Sequence, residues 1–133
     1  GNPMVISAER ACWPDSELSD KYPKAPSPQF INAGGFIGTK EQVLSAMHTV
    51  LAGAEGEDDQ RAWTKAYLAG LLPYLQVDHS RFIFSSIADG EMAERADSCV
   101  KHWNGRSPGR KEYWDAITAI GVSDSTSKSI PVG

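Results

Sequence analysis

The stretch Phe30-Ile31-Asn32-Ala33-Gly34-Gly35-Phe36-Ile37-Gly38 limits the fold of this chain more than any other. It is apolar enough for a buried strand, yet it carries three glycines. A glycine inside a strand packs nothing and costs backbone entropy. Gly34 and Gly35 therefore mark either a bulge or tight bend, or a place where the backbone lies open to a close ligand. Directly afterwards, Thr39-Lys40-Glu41-Gln42 has the capping-box pattern, a hydroxyl followed three residues later by Gln. Val43, Met47, Val50 and Leu51 follow at helical spacing, and Gly53 stands where a C-terminal cap belongs. A strand thus runs straight into an amphipathic helix.

The remaining segments continue that alternation. Residues 4–7 predict a short buried strand. Asp15 is placed to cap a helical stretch through Tyr22, and Pro23, Pro26 and Pro28 force a loop. Asp58 or Asp59 starts a second helix, expected over 60–72 and stopped before Pro73. Residues 75–77, 81–84 and 99–102 read as short strands. A helical turn is expected over 91–95. A last helix opens at Ser107-Pro108 and presents Tyr113, Trp114, Ile117 and Ile120 on one face. The class predicted is α/β, a short mixed sheet with about three main helices. One domain is expected over 4–121, with a mobile tail over 122–133 and Gly1-Asn2-Pro3 as a cloning scar.

Composition narrows the function classes. In 133 residues, 41% are apolar and 23% charged, values that exclude a largely disordered chain. The net charge of −4 argues against a binder of nucleic-acid phosphates. No apolar run is long enough for a membrane helix. Cys12 and Cys99 are too few for a disulfide framework; one bridge between them is an alternative, but two buried free thiols are expected, which makes the cytoplasm the default compartment.

Several short pieces then occur in a telling order. They are Ser7-Ala8-Glu9, Cys12-Trp13-Pro14, Lys21-Tyr22-Pro23, the Asn32 glycine segment, Asp58-Asp59-Gln60, Thr64-Lys65, Asp78-His79 and Ile83-Phe84. In that order the chain resembles the glycosyltransferase domain of procollagen-lysine hydroxylases and of collagen hydroxylysine glycosyltransferases. The match covers about residues 4–91 and thins toward His102-Trp103-Asn104-Gly105. The resemblance implies a partial GT-A-like, Rossmann-like sandwich. It also implies a UDP-sugar donor, a hydroxyl acceptor, and a divalent cation, usually manganese, that neutralises the departing diphosphate. In the family an upstream half carries an Asp-x-x-Asp metal motif. That motif is not found in its place here, so the chain is expected to hold the acceptor-side half and to be weak or inactive alone.

The resemblance also singles out residues, each with a plainer structural reading. Asp58, Asp59 and Asn32 would be catalytic. Adjacent carboxylates suit one of the pair to proton transfer, and Asn32 offers both a donor and an acceptor near the transferred sugar. The plainer reading makes Asp58 or Asp59 a helix cap. Glu9, Trp13, Gly34 and Gly35 would line the acceptor pocket, with Trp13 stacking on a pyranose face. Otherwise Trp13 is core filler. His102 would be a metal ligand, or else a surface histidine. His79 is expected to orient a loop and His48 to be structural, while Trp63, Trp103 and Trp114 are expected to pack. The alternative function is a non-catalytic module that binds a glycan, a peptide or a missing partner polypeptide.

Overall fold

The computed structural model describes residues 1–87 and 98–103. The elements are β1 (Met4–Glu9), a 3-10 helix (Ser16–Lys21), β2 (Phe30–Ile37), α1 (Lys40–Ala52), α2 (Asp59–Leu68), β3 (Leu75–Val77), β4 (Phe84–Ile87) and β5 (Val100–Trp103). β1 lies at the centre of a three-stranded sheet, antiparallel to β2 and parallel to β3. β4 and β5 form a separate parallel pair. The mixed α/β architecture expected from the alternating segments is present, in three layers.

The helices cover one face of the central sheet. Met4 and Ile6 of β1, Ile31 of β2, Ala46 and Val50 of α1, and Ala62, Trp63 and Ala66 of α2 form one buried apolar cluster. Trp63 is 4% exposed and sits 5.2 Å from the Phe36 ring, so its packing role holds. The opposite face meets β4 and β5. There the Ser7 and Ser86 hydroxyls pair at 2.7 Å, fully desolvated.

Local chemistry explains most boundaries. Thr39 caps α1 with the reciprocal box its sequence implies. The Gln42 N–H donates to Thr39 Oγ1 at 3.3 Å, and the Thr39 N–H donates to Gln42 Oε1 at 3.0 Å. Gly53 is the C-cap. α2 stops at Leu68, four residues short of the expected end. Gly70 has φ +70, the Gly70 N–H donates to the Tyr67 carbonyl, and the Leu71 N–H donates to the Ala66 carbonyl. That is a Schellman closure, and the left-handed glycine rather than Pro73 ends the helix.

Other expectations need correction. The strand predicted over 81–84 begins instead at Phe84. The Asp78 carboxylate accepts the N–H groups of Phe82, Ile83 and Phe84 at 3.0, 2.8 and 2.9 Å. The Phe82 and Ile83 amides are thereby taken by the carboxylate, and Arg81 turns the chain with φ 56, whereas Phe84 enters the ladder through the Ile83 carbonyl, which accepts the Val100 N–H. Asp15 does not cap the 3-10 helix with its side chain. It forms a two-pronged ion pair with Arg61 of α2, at 2.7 and 2.8 Å. Both cysteines are free, but Cys12 is only half-buried and Cys99 is exposed. Trp13 is 64% exposed and fills no core. His48 is exposed on α1. The expected elements over 91–95 and 107–120, the tail over 122–133 and the role of Trp114 lie outside the described residues.

Candidate functional site

The site grows from an irregularity in the pairing of β1 with β2. Val5 and Ile6 pair with Ile37 and Phe36, whereas Ser7, Ala8 and Glu9 pair with Asn32, Ile31 and Phe30. One step along β1 therefore corresponds to four along β2. Ala33, Gly34 and Gly35 form the excess, a β-bulge. An odd number of extra residues has a consequence for facing. Ile31 and Phe36 are five positions apart, and simple alternation would put them on opposite faces. The bulge returns both to the helix-covered face.

Asn32 opens the bulge. Its Oδ1 accepts the Gly34 N–H at 2.8 Å, and its side chain is 6% exposed. The two glycines admit the second sheet. The His102 imidazole lies so close to Gly34 that any Cβ there would overlap its Cε1, and a Cβ on Gly35 would fall 2.8 Å from Phe84 Cδ1. Of the two readings of the glycines the bulge is present, and the groups that lie against it are side chains of β4 and β5.

Glu9 ends β1 and is 8% exposed. Its Oε1 accepts a hydrogen bond from Gln60 Nε2 at 2.9 Å. The same Nε2 donates to the Ile31 carbonyl, and Gln60 Oε1 accepts the Ala33 N–H at 2.6 Å. Gln60 was visible in the sequence only as the third letter of Asp58-Asp59-Gln60. A glutamine in the first turn of a helix is ordinarily solvated, so no local signal marks its burial.

The two aspartates divide their work. Asp58 is the N-cap of α2, with its Oδ1 accepting the Arg61 N–H at 3.2 Å. Asp59 accepts the Gln60 N–H at 2.7 Å. Both carboxylates are exposed at the positive end of α2, where the helix dipole favours them. The capping reading thus holds for Asp58. Trp13 stands beyond the end of β1 with its ring exposed to solvent.

His102 is half-buried, and its Nδ1 is buried with no hydrogen-bond partner. Desolvation holds its pKa below the usual histidine value, which favours the neutral ring with a lone pair to offer. That chemistry suits one imidazole ligand of a cation. Among the described residues, however, no group of three His, Cys, Asp or Glu side chains converges. The described donors do not by themselves make a manganese centre.

His79 does orient a loop, with Nδ1 2.8 Å from the Pro28 carbonyl oxygen. Beside it, Asp78 receives the three backbone amides above and the Ser80 hydroxyl at 2.9 Å. Burial works against its charge, but these four donors outweigh burial and hold its pKa below the usual carboxylate value. Asp78 thereby fixes the turn that delivers Phe84 to Gly35.

A mixed α/β sandwich with a polar, bulged strand edge is what the fold and this site define. A family model described as the PLOD GT domain matches residues 1–105, and the chain belongs to that family. The chain is 34% identical over 94 residues to the rat (Rattus norvegicus) multifunctional procollagen lysine hydroxylase and glycosyltransferase LH3. That match covers 65% of this chain and 12% of the rat protein. It is 36% identical over 70 residues to the procollagen-lysine,2-oxoglutarate 5-dioxygenase of Drosophila melanogaster, covering 51% of this chain and 9% of the fly protein. The chain thus spans a small part of the curated relatives it matches.

Proposed function

We propose that this chain forms the acceptor-side wall of a glycosyl-transfer site, used with a UDP-sugar donor and a hydroxyl acceptor of the hydroxylysine type. The observation that carries the reading is the convergence of Glu9, Asn32, Gly34, Gly35 and His102 on the β2 bulge. Glu9 offers a carboxylate oxygen to a sugar or acceptor hydroxyl. Asn32 offers an amide on the face shared with His102. Asp58 and Asp59, both exposed at the α2 N-terminus with one oxygen each engaged by a backbone N–H, are the carboxylates for proton transfer. Trp13 supplies an exposed ring on which a pyranose can stack. A divalent cation, when bound, would neutralise the charge of the leaving diphosphate, and His102 is the residue described here that would hold it.

Turnover by the 133-residue chain alone is expected to be weak, because the described residues bring one imidazole to such a cation. The test is UDP release from UDP-galactose or UDP-glucose with manganese and a hydroxylysine peptide. NMR titration of the same components runs alongside it. Shifts at Glu9, Asn32 and Trp13 on adding the acceptor support the reading. Binding of the acceptor without manganese-dependent broadening at His102 favours the non-catalytic module, for which the exposed Trp13 is the specific argument. Silence of all these residues toward donor and acceptor overturns both.

A further inference from the structure

We propose that Gln60 is a positioning residue for this site, acting through Glu9 and Asn32 on a hydroxyl-bearing ligand. The inference rests on the acceptor-side reading above and deepens it.

Gln60 stands in the first turn of α2, yet it is 8% exposed. Both ends of its amide are used. The Ala33 N–H can only donate and the Ile31 carbonyl can only accept, so Gln60 Oε1 faces Ala33 and Nε2 faces Ile31. The hydrogen-bond pattern therefore fixes the amide orientation. Those two peptide groups flank Asn32. A carbonyl and the N–H two residues further on form the pair that one residue of a parallel neighbouring strand would engage. β2 is an edge strand of its sheet. The Gln60 amide takes the place of a strand residue opposite Asn32, at the start of the bulge.

Closing that edge needs two hydrogen bonds. Gln60 makes a third, to the buried Glu9 carboxylate at 2.9 Å. One amide thereby ties the direction of Glu9 to the geometry of the backbone around Asn32. The first turn of α2 holds the amide in place, since Asp58 caps the helix and Asp59 takes the Gln60 N–H. A donor to a carboxylate also favours its ionised form, which accepts hydrogen bonds from ligand hydroxyls.

The experiment uses the full chain, isotope-labelled, with methyl β-D-galactopyranoside as probe. Gln60→Met keeps the stem and removes every polar contact. Gln60→Glu keeps the shape and the acceptor for Ala33 but removes the donation to Glu9, and it stands in if the Met variant does not fold. In either variant the Glu9 carboxyl carbon is expected to titrate at higher pH than in the wild type. In Gln60→Met the Ala33 and Gly34 amide signals also move. Probe affinity is expected to fall about tenfold or more, and in a Glu9→Gln background the further loss from Gln60→Met is expected to vanish, as for residues acting in series. An unchanged Glu9 titration, or fully additive losses, overturns the proposal. If the wild type binds no probe, the acceptor-side reading falls, while the Glu9 and Ala33 signals still decide whether Gln60 sets them.

Discussion

The two halves of the β1–β2 ladder use one pair of strands for two purposes. On the α1 side of the bulge, Val5–Ile37 and Ile6–Phe36 continue a regular apolar ladder into a capped helix. Beyond the bulge, Ser7–Asn32 and Glu9–Phe30 carry polar side chains that stay buried. The first half needs only water exclusion, which is non-directional and tolerant of detail. The second needs partners for each polar atom, because an unpaired buried polar group is costly. Two of those partners come from distant segments, Gln60 for Glu9 and Ser86 for Ser7, while Asn32 is served locally by the Gly34 N–H of the bulge. A polar half so dependent on remote groups suits a site, and an apolar half suits a scaffold.

The largest expected effect lies in the scaffold half. Ile6 is fully buried, so Ile6→Ala is expected to cost about 3 kcal/mol in urea unfolding. The folded fraction should keep wild-type ligand shifts at Glu9 and Asn32. A disproportionate loss there would show that the halves are not separable.

Asp78 joins the halves, since its N–H donates to the Ile6 carbonyl and its carboxylate sets the start of β4. Asp78→Asn is expected to cost about 2 kcal/mol at neutral pH, as a charged acceptor gives way to a neutral one. The folded pKa of Asp78 is depressed, so this stability is present above its unfolded value and is lost as pH falls through the folded one. The gap between wild type and variant should therefore close on acidification. A gap independent of pH would mean that the charge contributes nothing.

A smaller effect is expected at the bulge. Gly34→Ala forces the His102 ring to move, at about 1.5 kcal/mol, and should displace the His102 imidazole signals. Gly53→Ala is the control, because a Cβ there meets nothing nearer than the Val50 carbonyl oxygen at 4.0 Å. Equal effects at the two glycines would remove the case for a special approach at Gly34. Smallest of the series, Thr39→Ala should cost about 1 kcal/mol by loss of the cap and leave ligand shifts at Glu9 untouched.

Much of this was legible in the residues. The capping box, the Gly53 stop, the first strand and the glycine-marked irregularity in β2 depend on neighbours a few positions away, so local chemistry fixes them. The Schellman end at Gly70 is equally local, since it needs only a left-handed glycine two residues after Leu68. The late start of β4 was not local. It depends on which amides Asp78 captures, a competition between a carboxylate and a strand partner that alternation cannot decide.

By itself the amino-acid sequence determined the class, the capped helix and the family. Tertiary structure alone decided what the glycine pair is for. Gly34 and Gly35 make room for His102 and Phe84, and the three-residue bulge restores the facing of Ile31 and Phe36. It also decided that a helix-start glutamine, rather than the aspartates before it, reaches into the sheet. The physical reason is the same in each case. A backbone's freedom and a polar side chain's hydrogen-bonding capacity belong to the residue, but the partner that uses them arrives from elsewhere in the chain.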